Sequence, residues 1–277
     1  MFPRVLRAYG RLGYWIDLGC PARVFAMVVD QKGRRTLSCS GGMTVSDAFL
    51  FASIARVVSP RSIFVIGNSF GLSTFVLAEL FPDAVIDAID AEAEGLDVGI
   101  GSRVTHELSR AEFTNVRLTK GYSPQDLGSA MRERAYELVF VDGMHTNEQL
   151  VLDVEGMLPR LAPRCVVVLH DVASMAMFDG LARVSEVTRA HGFAIHRLGY
   201  TQMGCCVLVR GCPEAEEYFA AAAREFEGPY LTGFSAVQGE VRGPRPWFWD
   251  LTFGHLEKLV RRKVRRIGDS VRTLAGS

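Results

Sequence analysis

The chain of 277 residues has no apolar run approaching 18 residues, so nothing in it reads as a membrane-spanning helix. The opening stretch MFPRVLRAYGRLGYWIDLG is cut by Arg4, Arg7 and Arg11, which leaves no apolar core for a secretion signal. Six cysteines, at 20, 39, 165, 205, 206 and 212, form no CxxC pair, and Cys165 falls inside an apolar run. That usage argues against a zinc site or a disulfide framework and predicts free thiols in a reducing compartment, the cytoplasm by default. There is no excess of either charge: Lys plus Arg is 31 and Asp plus Glu is 31. A strongly basic nucleic-acid-binding surface is thereby disfavoured, and no nucleic acid is expected as a partner. Internal repeats and low-complexity tracts are missing too. What remains is 48% apolar and 22% charged, ordinary globular composition. The length suits one domain of about 200 residues with appendages.

Residues 1–40 read as an irregular N-terminal extension, with a short strand at Val24–Val29. Thr44 or Ser46 is placed to cap a helix running to about Val58, with Phe49, Leu50, Ile54 and Val57 along one face. Strand and helix then alternate. The expected strands are 62–67, 84–90, 116–121, 137–143 and 165–172, with helical stretches between them. The segments 194–199 and 205–211 read as a terminal antiparallel pair. Continuous apolar strands separated by helices predict a parallel sheet covered on both faces. The expected fold class is therefore α/β, a doubly wound, mostly parallel sheet with N- and C-terminal extensions. The main domain is expected at 41–212 and a C-terminal extension at 213–277.

Four signals sit where such a fold gathers its ligands, at the C-terminal ends of strands. The first is VIGNSFGLST after strand 62–67, in which Gly67 and Gly71 allow close approach of a ligand to backbone. Its glycine spacing is neither the dinucleotide GxGxxG nor a Walker loop, and a plain tight turn is the competing reading. The second is Asp90, about 20 residues on, where an acid can accept the hydroxyls of an adenosine ribose. A helix cap is its competitor, and Asp87 is a second candidate that lies within the strand. The third and fourth are VFVDGMH and VVLHD, which bring Asp142, His145, His170 and Asp171 to neighbouring strand ends. Two carboxylates and a histidine there suggest a divalent cation, Mg²⁺, Mn²⁺ or Ca²⁺, although His170 alone could equally be a satisfied core histidine.

These signals, in this order, resemble the class I S-adenosylmethionine-dependent methyltransferases. The likeness covers about residues 40–212. It is greatest to the group with DGxH after the fourth strand and HD after the fifth, which includes sugar and other small-molecule O-methyltransferases. The resemblance implies a Rossmann-like methyltransferase fold and S-adenosylmethionine as cofactor. Gly67, Asn68, Ser69, Gly71, Asp90, Ser123 and Asp142 are the implied cofactor-binding residues. Val65 stands where the family usually has an acid, and Asn68 and Ser69 are the polar substitutes. Ser123, in KGYSPQDL, matches the loop that borders the adenine. The implied reaction is O-methylation of a hydroxyl on a sugar, glycan or similar small metabolite. His145 would be the general base beside Asp142, with Asp142, His170 and Asp171 as metal ligands. Metal-independent transfer, another chemistry on the same sheet, and a non-catalytic scaffold are the alternatives. A homo-oligomer, commonly a dimer in that group, is expected.

The stretch 252–277 carries seven basic residues against Glu257 and Asp269, so it is +5 while the rest of the chain is −5. Leu256, Val260, Val264, Ile267, Val271 and Leu274 recur at helical spacing beneath the basic face. A basic amphipathic helix is expected there. It would touch an anionic membrane peripherally or pack on protein.

Overall fold

The computed structural model describes residues 2–17, 25–29, 35–38, 43–93, 99–132, 135–199, 201 and 204–226. In chain order the elements are α1 (Pro3–Arg11), β1 (Trp15–Asp17), β2 (Phe25–Val29), β3 (Arg35–Ser38) and α2 (Val45–Val57). There follow β4 (Ser62–Ile66), α3 (Leu72–Leu80), β5 (Val85–Asp90), α4 (Ile100–Ala111), β6 (Val116–Lys120) and α5 (Leu127–Ala130). The last group is β7 (Tyr136–Val141), α6 (Asn147–Met157), β8 (Leu161–Leu169), α7 (Phe178–Ala190), β9 (Ala194–Leu198), β10 (Cys205–Arg210) and α8 (Pro213–Phe226).

Seven strands form one sheet in the order β6-β5-β4-β7-β8-β10-β9. The first five are mutually parallel, and β10 runs antiparallel to both β8 and β9. This is the doubly wound α/β fold the alternating pattern predicts. Strand β4 is buried along its whole length, and its side chains alternate between two cores. Ile63 and Val65 join one cluster with Phe75, Phe113 and Phe140, while Phe64 and Ile66 join the other with Tyr136 and Val154. Each such side chain contributes about 1.5–3 kcal/mol by leaving water. Covering on both faces is why these strands read as unbroken apolar runs.

The short strand expected at Val24–Val29 is present as β2, and the described residues before position 40 hold more order than expected. They hold α1 and an antiparallel three-stranded sheet, β1-β2-β3. Helix α1 buries Val5, Ala8 and Tyr9, and Tyr9 donates its hydroxyl proton to the Phe70 carbonyl at 2.6 Å. Glu79 of α3 accepts the free N–H groups of Arg4 and Val5, so a carboxylate from another helix caps α1. Helix α8 packs on β9 and β10 and touches α2. The first compact unit accordingly runs Met1–Glu227, past the expected boundaries at 40 and 212. The expected basic helix at 252–277 lies outside the described residues.

Cys165, Cys205, Cys206 and Cys212 are free and buried. Burial pushes Cys165 up to about 11 and Cys206 up to about 12. Cys20 and Cys39 lie outside the described residues. Among the described residues no helix is long and apolar enough to cross a membrane.

Candidate active site

The order of strand addition reverses between the parallel neighbours β4 and β7, and the backbone ladder continues past both strand ends. Gly67 donates to the Ile89 carbonyl at 2.9 Å, and Gly121 to the Asp90 carbonyl at 2.9 Å. Asp142 donates to the Ile66 carbonyl at 2.8 Å, and His170 to the Val141 carbonyl at 3.0 Å. Four loops are thereby locked side by side at the carboxyl end of the sheet, where ligands of this fold class bind.

The turn after β4 is shaped by two glycines. Gly67 has φ +85°, and a Cβ there would stand 2.0 Å from the Asp142 carbonyl oxygen. Gly71 has φ +83° at the N-cap of α3, against Thr105 and Phe75. Asp90 draws the turn inward. Its Oδ2 accepts the backbone N–H groups of Asn68 (2.7 Å) and Ser69 (2.6 Å), and its Oδ1 accepts that of Glu92 (2.7 Å). A carboxylate offers about four acceptor positions, so one remains for a ligand hydroxyl. Asn68 turns its side chain away from the sheet end. It donates to Thr105 Oγ1 at 2.9 Å and accepts from Thr74 Oγ1 at 2.9 Å, beneath the turn. Val65, at the position expected to be acidic, is wholly buried. Ser123 donates to Asp153 Oδ1, which also accepts Gln149 Nε2 at 2.6 Å. The hydroxyl proton of Ser123 is thus committed, and its lone pairs remain. Burial raises Asp153 above the usual carboxylate range, against the pull of Ser123 and Gln149.

Across the switch point, Asp142, His145, His170 and Asp171 meet as the sequence predicts. Asp142 Oδ1 lies 2.8 Å from His170 Nδ1 and 3.2 Å from His145 Nε2. Asp171 places Oδ2 3.4 Å from His145 Nε2 and Oδ1 3.3 Å from His170 Nδ1. The cluster is layered: the side chains of His145 and Asp142 are 24% and 17% exposed, those of Asp171 and His170 only 8% and 4%. Asp171 sits at φ +56°, a left-handed conformation that costs a non-glycine residue of order 1 kcal/mol.

The charges interlock. Burial alone would push Asp142 up, but His170 and His145 hold its carboxyl down at about 2. Burial would push both histidines down. Instead Asp142 and then Asp171 raise His145, while Asp142, the neighbouring Cys205 and Asp47 carry His170 well above the usual imidazole value. Asp171 is raised, chiefly by burial and then by the negative Asp142 and Asp47, against the two histidines.

Sequence reasoning missed Asp47. It stands on α2, whose N-terminus is closed by a capping box. The Thr44 side chain accepts the Asp47 N–H, and Asp47 Oδ2 accepts the Thr44 N–H at 2.8 Å. The same Oδ2 lies 3.1 Å from His170 Nε2 in the interior, and the Cys205 thiol points at Oδ1 from 3.7 Å. A signal was present. Asp47 shares the i, i+3, i+4, i+7 stripe of Leu50, Phe51 and Ile54, all buried, and an acid on an apolar stripe needs a partner. Of the face expected on this helix Leu50 and Ile54 are buried, but Phe49 is 62% exposed and Phe51 takes its place.

The chemistry of the donor set fits a divalent cation. Asp142, His145, His170 and Asp171 each present a ligand atom within 4.8 Å of the others. Asp171 Oδ1 is buried without a hydrogen-bond partner. Two imidazoles among two carboxylates suit Mn²⁺ better than Mg²⁺ or Ca²⁺, which favour oxygen alone.

No curated protein matches the sequence significantly. Among solved structures, the chain is similar to a protein from Klebsiella pneumoniae named as an O-methyltransferase, at 17% identity and TM-score 0.53, covering 76% of this chain and 89% of that one. The O-methyltransferase TomG from Streptomyces achromogenes, involved in tomaymycin synthesis and solved with S-adenosylmethionine, gives 18%, 0.49, 76% and 89%. The O-methyltransferase from Bacillus cereus, in complex with S-adenosylhomocysteine, gives 16%, 0.49, 61% and 82%. The Klebsiella likeness shows a shared fold. Residues 64–172 match the family model described as a methyltransferase domain, a span that includes Gly67, Asp90, Asp142, His170 and Asp171.

Proposed function

We propose that this chain is an S-adenosylmethionine-dependent O-methyltransferase acting on a hydroxyl of a sugar, glycan or similar small metabolite. The observation that carries the reading is His145. Its Nε2 faces Asp142 Oδ1 and Asp171 Oδ2 at the exposed edge of the cluster, across the switch point from the glycine turn. Two carboxylates hold the proton on Nε2 and leave Nδ1 to receive one. In methyl transfer the acceptor oxygen forms a bond to the methyl carbon as the carbon–sulfur bond breaks, and the hydroxyl proton passes to His145 Nδ1. The acceptor is oriented in line with the sulfonium by the shared strand ends.

In this reading Asp90 keeps its remaining Oδ1 lone pair for a ribose hydroxyl, and Ser123 Oγ accepts from the adenine amino group. The turn at Gly67–Gly71 carries the methionine end, with Ser69 as its polar contact. Asp142, Asp171 and His170 Nδ1 would hold the divalent cation. When bound, that cation lowers the pKa of the acceptor hydroxyl and fixes its position. Calorimetric titration with S-adenosylmethionine, with and without Mn²⁺, tests the proposal. Micromolar binding is expected, weakened at least tenfold in Asp90→Ala. A wild-type chain that takes up no cofactor under either condition would leave a binding scaffold as the better account.

A further inference from the structure

His170 is the most enclosed group of the cluster, and its two nitrogens face opposite ways. Nδ1 looks outward to Asp142 and Asp171, at 2.8 and 3.3 Å. Nε2 looks inward, where Asp47 Oδ2 stands 3.1 Å away on an oblique approach. No better-aligned partner for Nε2 exists among the described residues, and the side chain is only 4% exposed. A buried ring nitrogen left to itself costs about 1–3 kcal/mol, and Asp47 is the carboxylate within reach of Nε2, as Asp142 and Asp171 are of Nδ1. Asp47 is held there. The Thr44 N–H and hydroxyl both donate to Oδ2, at 2.8 and 2.7 Å, and fix the carboxylate against α2. Its side chain is 1% exposed.

We propose that Asp47 is a positioning residue: it holds a proton on His170 Nε2 and so turns the Nδ1 side of the ring toward Asp142 and Asp171. A histidine that presents one nitrogen to a site commonly hands the other N–H to a carboxylate, which sets ring orientation and donor strength. Here that carboxylate comes from α2, outside the strand ends that supply the rest of the cluster. The inference deepens the reading of this site as one that holds a cation and a hydroxyl acceptor. Its first test needs neither.

That test is nuclear magnetic resonance on the full chain with ¹⁵N-labelled histidine and no metal, the His170 signals being identified from a His170→Gln spectrum. In wild type a slowly exchanging proton on His170 Nε2 is expected. In Asp47→Ala it is lost. In Asp47→Asn, whose amide oxygen can stand where Oδ2 stands, it returns. An Nε2 without a proton in wild type overturns the proposal even if no variant folds. So does an unchanged His170 spectrum in Asp47→Ala. Titration with Mn²⁺ is the second arm, with affinity expected to fall about 10–100-fold in Asp47→Ala. Should wild type bind no Mn²⁺, the cation reading falls, and the ring-proton result still decides the role of Asp47.

Discussion

His145 and His170 are chemically the same residue given different work by burial. His145 is partly open and faces two carboxylates with one nitrogen, so its other nitrogen is available to an acceptor. Burial would lower it, but Asp142 and then Asp171 raise it above the ordinary value near 6.5. A general base works only when neutral. Activity is therefore expected to be low in acid and to rise with pH through a midpoint above ~6.5, the usual histidine value. In His145→Ala that limb disappears and kcat falls about 10²–10⁴-fold, with S-adenosylmethionine affinity nearly unchanged. A kcat–pH profile of both proteins checks this, and a midpoint below the ordinary histidine value would count against His145 as the base. Residue identity was legible here: DGMH and LHD announced four groups at two adjacent strand ends. The depth ordering was not, because a sequence does not say which imidazole lies behind the other. Asp47 was readable as a cap and hidden as a partner, since its contact to His170 joins positions 47 and 170 through space alone.

At the scale of elements, the central strands were legible because both faces are buried and their apolar runs are continuous. Helix α1 was not. PRVLRAYGR is short, and its capping acid, Glu79, lies 75 residues along the chain from Arg4. Of the three short strands that pair with one another, β2 was legible at Val24–Val29, while β1 and β3, three and four residues long, leave little periodicity to read. The turn after β4 yields a sharper expectation. Gly67 has positive φ, and any Cβ would meet the Asp142 carbonyl. Gly67→Ala is expected to lower stability by at least ~1–3 kcal/mol in urea unfolding, and to weaken S-adenosylmethionine binding as the turn lifts. An alanine variant equal to wild type in both measurements would mean that turn and site are not in contact in solution.

Over the whole molecule, charge is divided although the total is zero. The +5 stretch 252–277 lies opposite in sign to the −5 remainder. We propose that it brings the enzyme to anionic membrane, where a lipid-linked glycan would be at hand. Flotation with vesicles rich in phosphatidylserine is expected to recover the full chain and to lose the variant ending at Asp250. Equal recovery of both would sink the idea. The buried thiols have a different consequence. Cys205 and Cys206 lie in the antiparallel strand between β8 and β9, and Cys165 lies on β8 itself. Enclosure and raised pKa keep all three silent toward alkylating reagents while the sheet is closed. Once Cys20, Cys39 and Cys212 are replaced, the rate at which label enters these strands becomes a clock for the opening of that half of the sheet. The molecule thus carries its own reporter of how often its catalytic floor comes apart.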